Sequence, residues 1–180
     1  MSLHRHIETR LYHRARKFNY SVEVLQLPNG AVGEYAYIQH PGAAIVVPVT
    51  DSGEFVLVKQ YRFPIQEYVW EFPAGTLDGN EHHRDTIKRE LAEETGYEAN
   101  NWQYLGAFYI CPGYSNEVIH AYLATELQKL AHPPAQDADE DIQVEIVSKA
   151  QLHDWIAQPK DLIKIDAKSV TCFYMALASL

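Results

Sequence analysis

Hydrophobic and polar positions alternate in the amino-terminal part of the chain and give way to unbroken apolar runs further on. Residues 20–27 show near-alternation, a Pro-Asn-Gly sequence at 28–30 supplies turn residues, and residues 34–38 resume the alternation. A period of two places every second side chain on one face of a strand. The segment is therefore predicted to form an amino-terminal β-hairpin.

Two continuous apolar runs follow, at residues 44–49 and 55–58, and an Asp-Ser-Gly sequence at 51–53 separates them. Runs without alternation are typical of strands that are buried on both faces. We therefore expect two buried strands joined by a turn. Later apolar patterning predicts a short strand at 70–72, strands at 102–110, 118–124 and 143–147, and helices at 149–157 and 167–180.

One helix is predicted from residue 81 to residue 95, where Ile87 and Leu91 stand four residues apart. Apolar residues at this spacing share one face of a helix, so its buried stripe is expected along them. An Asp-Gly-Asn sequence at 78–80 can cap the first turn, and Gly96 is a typical carboxyl-terminal stop.

A long polar connection runs from residue 124 to residue 141 and carries the acids Asp137, Asp139, Glu140 and Asp141. Loops longer than about 12 residues are uncommon inside compact domains unless they are functional or disordered. We therefore interpret this segment as a lid that carries an acid.

Length and charge limit the classes of protein. The chain has 180 residues, 47% of them hydrophobic, and a formal net charge of −9, which fits one domain spanning residues 1–180. The negative charge argues against general nucleic-acid or membrane binding, because both surfaces attract basic proteins. Cys111 and Cys172 are the only cysteines, and no apolar stretch is long enough to span a bilayer. We expect a cytoplasmic protein.

Three glutamates, Glu90, Glu93 and Glu94, crowd the end of the predicted helix just before Gly96. Glu90 and Glu94 are four residues apart, so like charges meet beside Leu91 at a helix end that favours cations. A sequence that opposes helix electrostatics in this way usually has a compensating gain, and a bound cation supplies one. Ligands that are all carboxylates point to Mg²⁺ or Mn²⁺.

The spacing around these glutamates is specific. Gly75 is followed after five residues by Glu81, and after seven more by Arg-Glu-Leu-Ala-Glu-Glu-Thr-Gly-Tyr at residues 89–97. This pattern resembles the Nudix box at every defined position. The resemblance implies a Nudix hydrolase of the α/β class, with an α/β/α sandwich built on a mixed central sheet.

The resemblance also implies a set of metal ligands. The family's glutamates that match Glu90 and Glu94 bind metal directly, and the carbonyl that matches Ala74 often joins them. Mg²⁺, or Mn²⁺ in its place, is then the expected cofactor. Arg89 is expected to hold Glu93 in place, because a guanidinium can bind a carboxylate through two hydrogen bonds.

The family's water-activating base commonly lies on an acidic loop before a strand, and Glu140 fits that position best. Glu117 matches an acid that lies near the metals in relatives, and Glu93 is a third candidate catalytic residue. The choice among these acids stays open, since Ala138 interrupts the acidic run that some relatives have. Glu81 is either a further ligand or a first-turn acid that the helix dipole favours.

Residues outside the box resemble the subgroup of ADP-ribose and nucleoside diphosphate sugar pyrophosphatases. A Gln-Tyr-Arg sequence ending at Arg62, a Glu-Phe-Pro-Ala-Gly sequence beginning at Glu71, and Pro112 carry this resemblance. These three residues are the expected substrate-binding set, in which the planar fork of Arg62 suits diphosphate oxygens. The implied reaction is metal-dependent hydrolysis of the diphosphate bond, giving a nucleoside monophosphate and a sugar phosphate.

Other functions also fit the box. A Nudix hydrolase could act on GDP-mannose, dinucleoside polyphosphates or nucleoside triphosphates, and a Nudix module could sense a nucleotide without turnover. The intact glutamate set argues against the sensor, because a sensor need not keep metal ligands. Similar pyrophosphatases form homodimers, so residues 1–40 are expected to contribute to a homodimer. The adjacent His82 and His83 diverge on a helix and are not expected to chelate one ion.

Overall fold

A computed structural model describes residues 3–136, 141–157 and 164–180. The strands in these ranges are β1 (Arg5–Arg14), β2 (Asn19–Gln26), β3 (Val32–Gln39), β4 (Ala43–Pro48), β5 (Phe55–Arg62), β6 (Glu67–Glu71), β7 (Ala74–Thr76), β8 (Tyr97–Tyr109), β9 (Val118–Lys129) and β10 (Ile142–Val147). The helices are α1 (His83–Thr95), α2 (Lys149–Ala157) and α3 (Ala167–Leu177).

The chain divides into two compact units. One comprises Met1–Gly42 with Tyr109–Val118, and the other comprises Ala43–Phe108 with Ile119–Leu180. The expectation of a single domain stays a prediction. None of the helices in the described ranges combines the length and the apolar character that crossing a lipid bilayer requires.

The first unit contains a three-stranded antiparallel sheet in the order β1-β2-β3. β2 and β3 form the predicted hairpin, in which Asn19 lies opposite Gln39 and Gln26 lies opposite Val32. β1 is a strand that the sequence pattern does not predict. All of its residues are exposed in this chain, so no buried face marks it with an alternation of apolar side chains.

The second unit contains two sheets, in the orders β7-β4-β9-β8 and β10-β5-β6. β4 pairs parallel to β9 and antiparallel to β7, so the four-stranded sheet is mixed, as predicted. β10 and β6 both pair antiparallel to β5. Every residue of β4 is buried, which accounts for its unbroken apolar run, because a strand covered on both faces has no polar side.

α1 packs on the four-stranded sheet through Ile87 and Leu91, which are fully buried in one cluster with Ala44 and Val46 of β4. Full burial of such side chains stabilises the fold by roughly 1.5–3 kcal/mol each. Because alternate strand residues point to opposite faces, the intervening Ile45 faces the other side. The predicted buried stripe of this helix is confirmed.

α3 supplies a second part of the core through Phe173. Its ring meets that of Phe55 with centroids 5.4 Å apart, and Phe55 in turn meets Phe72 at 6.1 Å. Phe55 lies at the start of β5 and Phe72 directly follows β6. All three side chains are buried, so α3 is held against the strands that carry Arg62 and Glu71.

The start of α1 corrects the prediction. The helix begins at His83, and its cap is His82, whose Nδ1 accepts a hydrogen bond from the backbone N–H of Arg84 at 3.2 Å. The Asp-Gly-Asn sequence at 78–80 does not cap it. Instead, the N–H of Glu81 donates to the carbonyl of Asp78 at 2.9 Å, so these residues close a separate turn before the helix.

Other boundaries differ by a few residues. β9 continues to Lys129, so the polar connection after it is shorter than predicted. β7 was not predicted because only three residues form it. α3 ends at Leu177 rather than at residue 180. Gly96 ends α1, as predicted, with a left-handed φ of 72° that glycine adopts without a steric penalty.

Candidate active site

α1 and β7 bring Gly75 against Glu90. A Cβ built on Gly75 would lie 2.1 Å from Oε1 of Glu90 and 2.2 Å from its Cδ, far inside van der Waals contact. The φ of Gly75 is not in the left-handed region, so glycine is required here for space and not for backbone conformation. Any side chain at this position would displace the carboxylate of Glu90.

Glu94 meets the same strand one residue earlier. Its side chain is buried, with a relative exposure of 3%, and its Oε2 accepts a hydrogen bond from the backbone N–H of Ala74 at 3.1 Å. Ala74 lies opposite Ile45 in the sheet, so a rigid element fixes its backbone. The structure therefore brings Glu90, Glu94 and Ala74 together where α1 contacts β7.

Arg89 links the remaining acids of the box. Its Nη1 donates to Glu90 Oε1 at 2.9 Å and to Glu93 Oε2 at 2.8 Å, and its Nη2 lies 3.5 Å from Glu81 Oε2. The predicted hold on Glu93 is confirmed, and the contact with Glu90 is additional. Partial burial lowers the pKa of Arg89, but the carboxylates of Glu90 and Glu93 outweigh it and raise the pKa. The guanidinium thus offsets part of the repulsion among these glutamates.

The oxygen ligands available where α1 contacts β7 fit a hard divalent cation. Two carboxylates and a backbone carbonyl are oxygen ligands, which Mg²⁺ prefers, and the space left by Gly75 receives the carboxylate of Glu90. Within residues 3–136, 141–157 and 164–180, no three His, Cys, Asp or Glu side chains are already grouped around one position. A cation bound by Glu90 would share or replace the contact that Arg89 makes with Oε1.

Arg62 and Glu71, which the sequence assigns to substrate binding, contact each other. Arg62 Nε lies 2.5 Å from Glu71 Oε1, and Nη2 lies 2.6 Å from Oε2. Lys168 of α3 also binds Glu71. The side chain of Glu71 is 3% exposed and that of Arg62 is 42% exposed, so Arg62 is the open member of the pair. Sequence reasoning missed Lys168, which no motif marks and which lies 97 residues from Glu71.

Two further predicted site residues lie in the first unit. Pro112 lies in a turn, and Glu117 Oε1 lies 3.7 Å from Nδ1 of His40. Their roles in catalysis and substrate binding stay predictions. Glu140, the predicted base, lies outside the described residues.

His82 and His83 lie in a cluster of aromatic side chains that also contains His120, Tyr104 and Tyr122. His83 stacks on His120 with centroids 3.9 Å apart and an interplanar angle of 5°. Tyr122 Oη lies 2.5 Å from Nδ1 of His83, and Tyr104 Oη lies 3.1 Å from Nδ1 of His120. Lone pairs of parallel rings lie in parallel planes, so the two stacked imidazoles do not converge on one ion. Partial burial lowers the pKa of both His83 and His120.

Comparison with known proteins agrees with the sequence pattern. The family model described as NUDIX domain matches residues 39–170. The chain is 42% identical over 123 residues to the ADP-ribose pyrophosphatase of Bacillus subtilis (strain 168), covering 68% of this chain and 66% of that protein. It is 38% identical over 134 residues to the methanol dehydrogenase activator of Bacillus methanolicus, covering 74% of this chain and 72% of that protein.

The fold matches as well. The crystal structure of an ADP compounds hydrolase superposes with a TM-score of 0.80 at 21% identity, covering 98% of this chain and 94% of that chain. This likeness confirms the predicted α/β fold of the Nudix type with a mixed sheet. Nudix hydrolases generally use divalent metal ions, which agrees with the donors found here. Because the matched family model covers most of the chain, the chain belongs to the Nudix family.

Proposed function

We propose that this Nudix protein hydrolyses the diphosphate bond of ADP-ribose or a related nucleoside diphosphate sugar, giving a nucleoside monophosphate and a sugar phosphate. The observation that carries the proposal is the contact between α1 and β7. Glu90 packs against Gly75, and Glu94 accepts a hydrogen bond from the backbone of Ala74. The 42% identity to an ADP-ribose pyrophosphatase supports the substrate class.

Glu90, Glu94 and the carbonyl of Ala74 would hold a divalent cation, for which we propose Mg²⁺, with Mn²⁺ as the alternative. When bound, the cation supplies neutralising charge to the diphosphate and a lowered pKa to coordinated water. The protein itself fixes its two carboxylates in position before substrate arrives. Arg89 holds Glu93 beside this pair, so that Glu93 can orient a water molecule or accept its proton.

Substrate binding is assigned to Arg62, Glu71 and Pro112. Arg62 would meet the diphosphate oxygens, because a guanidinium presents paired donors to an oxyanion. Glu71 has little exposed surface and binds Arg62 through both oxygens, so its contribution would pass through Arg62. Pro112 is assigned to this set on its match to the proline of similar ADP-ribose hydrolases.

Glu140 is our proposed general base, with Glu117 as the alternative. Support for Glu140 comes from its position in the sequence, in an acidic segment directly before Asp141 and β10. Glu140→Gln should lower kcat by roughly 10²–10⁴-fold with a smaller effect on KM. A larger loss of kcat in Glu117→Gln would exchange the two roles.

A regulatory role is the second candidate function. The observation that favours it is the 38% identity to the methanol dehydrogenase activator. The glutamate set at α1 and β7 favours turnover, because a protein that only senses a nucleotide need not keep metal ligands. Hydrolysis of GDP-mannose, a dinucleoside polyphosphate or a nucleoside triphosphate is the alternative within the enzyme class.

We also propose a homodimer formed through the β1-β2-β3 sheet. Ile7 and Leu11 are both 49% exposed and Tyr12 is 54% exposed, and β1 is an edge strand in this chain. An exposed apolar edge favours pairing with another chain, and a second copy is the proposed occupant. Sedimentation equilibrium should show a dimer that Leu11→Glu weakens, whereas a wild-type monomer would contradict the proposal.

A cytoplasmic location is the last part of the proposal. Cys111 and Cys172 are both free thiols, as expected where the surroundings are reducing. Cell fractionation followed by immunoblotting tests it, and recovery of the protein outside the cytoplasmic fraction would contradict it.

The reaction is tested by incubating the purified protein with ADP-ribose and Mg²⁺ and separating the products by chromatography. AMP and ribose 5-phosphate are expected in equal amounts. Glu94→Gln should lower turnover by roughly 10³-fold or more while the fold is retained, because it removes a proposed ligand charge. Glu98→Gln, an exposed neighbour beyond α1, is the matched control and should keep wild-type turnover. No hydrolysis with either Mg²⁺ or Mn²⁺ would reject the proposal.

A further inference from the structure

Four charged side chains of alternating sign connect α3 to the end of β5. They are Asp166, Lys168, Glu71 and Arg62. Lys168 binds both Asp166 and Glu71, and Glu71 also binds Arg62. The side chains of Glu71 and Lys168 are 3% and 15% exposed, whereas that of Arg62 is 42% exposed. Arg62 is therefore the end of the network that reaches solvent.

The contact with Glu71 fixes which edge of Arg62 faces outward. A guanidinium has five N–H donors in one plane. Glu71 receives one hydrogen from Nε and one from Nη2, so the donors on Nη1 and the second donor on Nη2 point away from it. One hydrogen on each Nη forms the edge that can meet an oxyanion, and the other hydrogen on Nη1 points toward the side of Cδ. Rotation of the guanidinium about its stem would break both hydrogen bonds to Glu71.

Charge balance keeps Glu71 ionised. Burial alone would raise the pKa of Glu71, but the ammonium of Lys168 and the guanidinium of Arg62 outweigh it and hold the pKa at about 2. Burial likewise lowers the pKa of Lys168, and Asp166 and Glu71 more than offset it. Burial lowers the pKa of Arg62, but the charges of Glu71, Asp166 and Glu94 more than offset it and raise the pKa. The guanidinium of Arg62 therefore stays charged beside Glu71.

We propose that Lys168 is a positioning residue that acts through Glu71 to hold the guanidinium of Arg62 in the orientation that meets the substrate diphosphate. The inference rests on the proposed function, which gives Arg62 that contact. Without the lysine charge, a buried carboxylate would keep a single cationic partner, and an under-compensated buried charge is costly. Glu71 would then shift or take up a proton, and the guanidinium of Arg62 would no longer be held in one orientation.

A purely structural role for Lys168 is the competing explanation. α3 has other bonds to β6 and its flank, because Ser169 Oγ accepts from the N–H of Phe72 at 2.8 Å and the N–H of Asp166 lies 3.4 Å from the carbonyl of Trp70. These bonds do not involve the lysine ammonium. Loss of that ammonium should therefore leave α3 docked while Arg62 loses its orientation.

The chain contains a matched control. Lys164 pairs with Glu67 at 3.0 Å, and the two side chains are 51% and 57% exposed. Each lies four residues before its counterpart in the Lys168–Glu71 pair. Lys164→Met therefore removes the same charge from a neighbouring ion pair that is solvated. Glu67 lies opposite Arg62 in the sheet, but Arg62 makes its salt bridge with Glu71. Exposed pairs of this kind contribute little to stability.

The test is a double-mutant cycle measured with ADP-ribose and Mg²⁺. Lys168→Met should lower kcat/KM at least about tenfold, chiefly through KM, while Lys164→Met stays within about twofold of wild type. In an Arg62→Met background, adding Lys168→Met should change kcat/KM by less than about twofold, because the residue acts through Arg62. Lys168→Arg should restore part of the loss. Fully additive effects, or equal effects of Lys168→Met and Lys164→Met, would overturn the inference.

The pH profile gives a second readout that a structural role would not change. In the wild type, the pKa of Glu71 is held at about 2, so its protonation does not affect kcat/KM at pH values well above 2. In Lys168→Met, burial raises the pKa of Glu71 toward the assay range, and kcat/KM should begin to fall at a higher pH than in the wild type. An unshifted acid limb would contradict the inference. Should Lys168→Met fail to fold, Lys168→Gln replaces it in the cycle and in this profile.

Failure of the proposed function can be distinguished from failure of the inference about Lys168. It would appear as a wild-type protein that does not hydrolyse ADP-ribose. The four proteins of the double-mutant cycle, wild type included, would then be compared by calorimetric binding of inorganic pyrophosphate with Mg²⁺. Lys168→Met should weaken that binding at least about tenfold and show no further effect without Arg62. Pyrophosphate binding that is equally tight in Lys168→Met and in wild type would overturn the inference.

Discussion

Gly75 and Glu90 lie so close that a methyl group on Gly75 would stand 2.1 Å from a carboxylate oxygen of Glu90. The two residues are fifteen positions apart, and the turn at 78–81 and the first half of α1 separate them. Their contact explains why a glycine on β7 belongs to the same pattern as the glutamates of α1. The glycine leaves room for the carboxylate, and β7 provides the backbone against which the helix glutamates are placed.

Gly75→Ala should lower kcat/KM by roughly 10²-fold or more, because the added Cβ must displace Glu90 from the proposed metal site. The concentration of Mg²⁺ needed for half-maximal turnover should rise with it. Steady-state kinetics over a series of Mg²⁺ concentrations measure both effects. Unchanged kinetics would show that Glu90 acts from a position that does not depend on this contact.

Gly53→Ala is the control for destabilisation. Gly53 has a left-handed φ of 79° and no atom within 4 Å of an added Cβ, so alanine there introduces backbone strain of about 1 kcal/mol without steric overlap. It should lower Tm and leave kcat/KM unchanged. If the two alanine variants lose activity in proportion to their loss of Tm, the effect of Gly75→Ala would be one of stability alone.

Arg89→Gln should destabilise the protein in the absence of divalent cations. The guanidinium bonds to Glu90 and Glu93 and lies near Glu81, and its loss leaves like charges opposed on one helix. For a chain of this size, Tm falls by roughly 2–4 °C for each kcal/mol lost. Thermal unfolding in the presence of a chelator measures the change, with Arg84→Gln as a control on the exposed first turn.

Arg89→Gln should gain more thermal stability from Mg²⁺ than the wild type does. Binding to the native state raises stability in proportion to affinity, and a cation at Glu90 no longer competes with Arg89 for Oε1. The Mg²⁺-induced rise in Tm should therefore be larger in Arg89→Gln. An equal rise in both proteins would show that Arg89 and the cation do not share this oxygen.

The sequence predicts the elements of the second unit because their burial leaves a pattern. The unbroken apolar run of β4 and the Ile87–Leu91 stripe of α1 are both confirmed. β1 escapes prediction because all of its residues are exposed within one chain. The cap at His82 is not predicted, because Asp78 and Glu81 form a separate turn before the helix. That turn depends on backbone geometry, which the identity of a capping residue does not specify.

Stability should depend on pH through the stacked histidines. Burial places the pKa of His83 and of His120 below the ordinary value of 6.5. Protonation is then easier in the unfolded chain, so the stability from the neutral stack is fully present above about pH 6.5 and is lost as the pH falls from there through the lowered pKa of the folded protein. The groups that face the two rings are His82, Tyr104 and Tyr122.

His120→Gln should flatten the decline of Tm between about pH 7.5 and 5.5, because it removes one stacked imidazole. Differential scanning calorimetry of wild type and variant over this range measures the slope. His153→Gln is the control, since His153 is exposed on α2 and its side-chain exposure is 52%. A slope that His120→Gln leaves unchanged would assign the pH dependence to other groups.

The site is predictable from sequence where its residues share one motif. Glu90, Glu93, Glu94 and Arg89 lie within six positions on one helix, so helical geometry alone brings them together. Lys168 contacts Glu71 across 97 residues of chain. That contact depends on how α3 docks against β5 and β6, which local patterning does not specify. The burial of Glu71 that results changes its expected contribution from direct contact with substrate to support of Arg62.

The substrate class is decided by a comparison of kcat/KM values. Initial rates with Mg²⁺ would be measured for ADP-ribose, GDP-mannose, a dinucleoside polyphosphate and several nucleoside triphosphates, since ratios of kcat/KM define specificity. We expect the highest value for ADP-ribose or another nucleoside diphosphate sugar, with loss of turnover in Glu94→Gln. A clear preference for nucleoside triphosphates, or no turnover of any of these compounds, would contradict it.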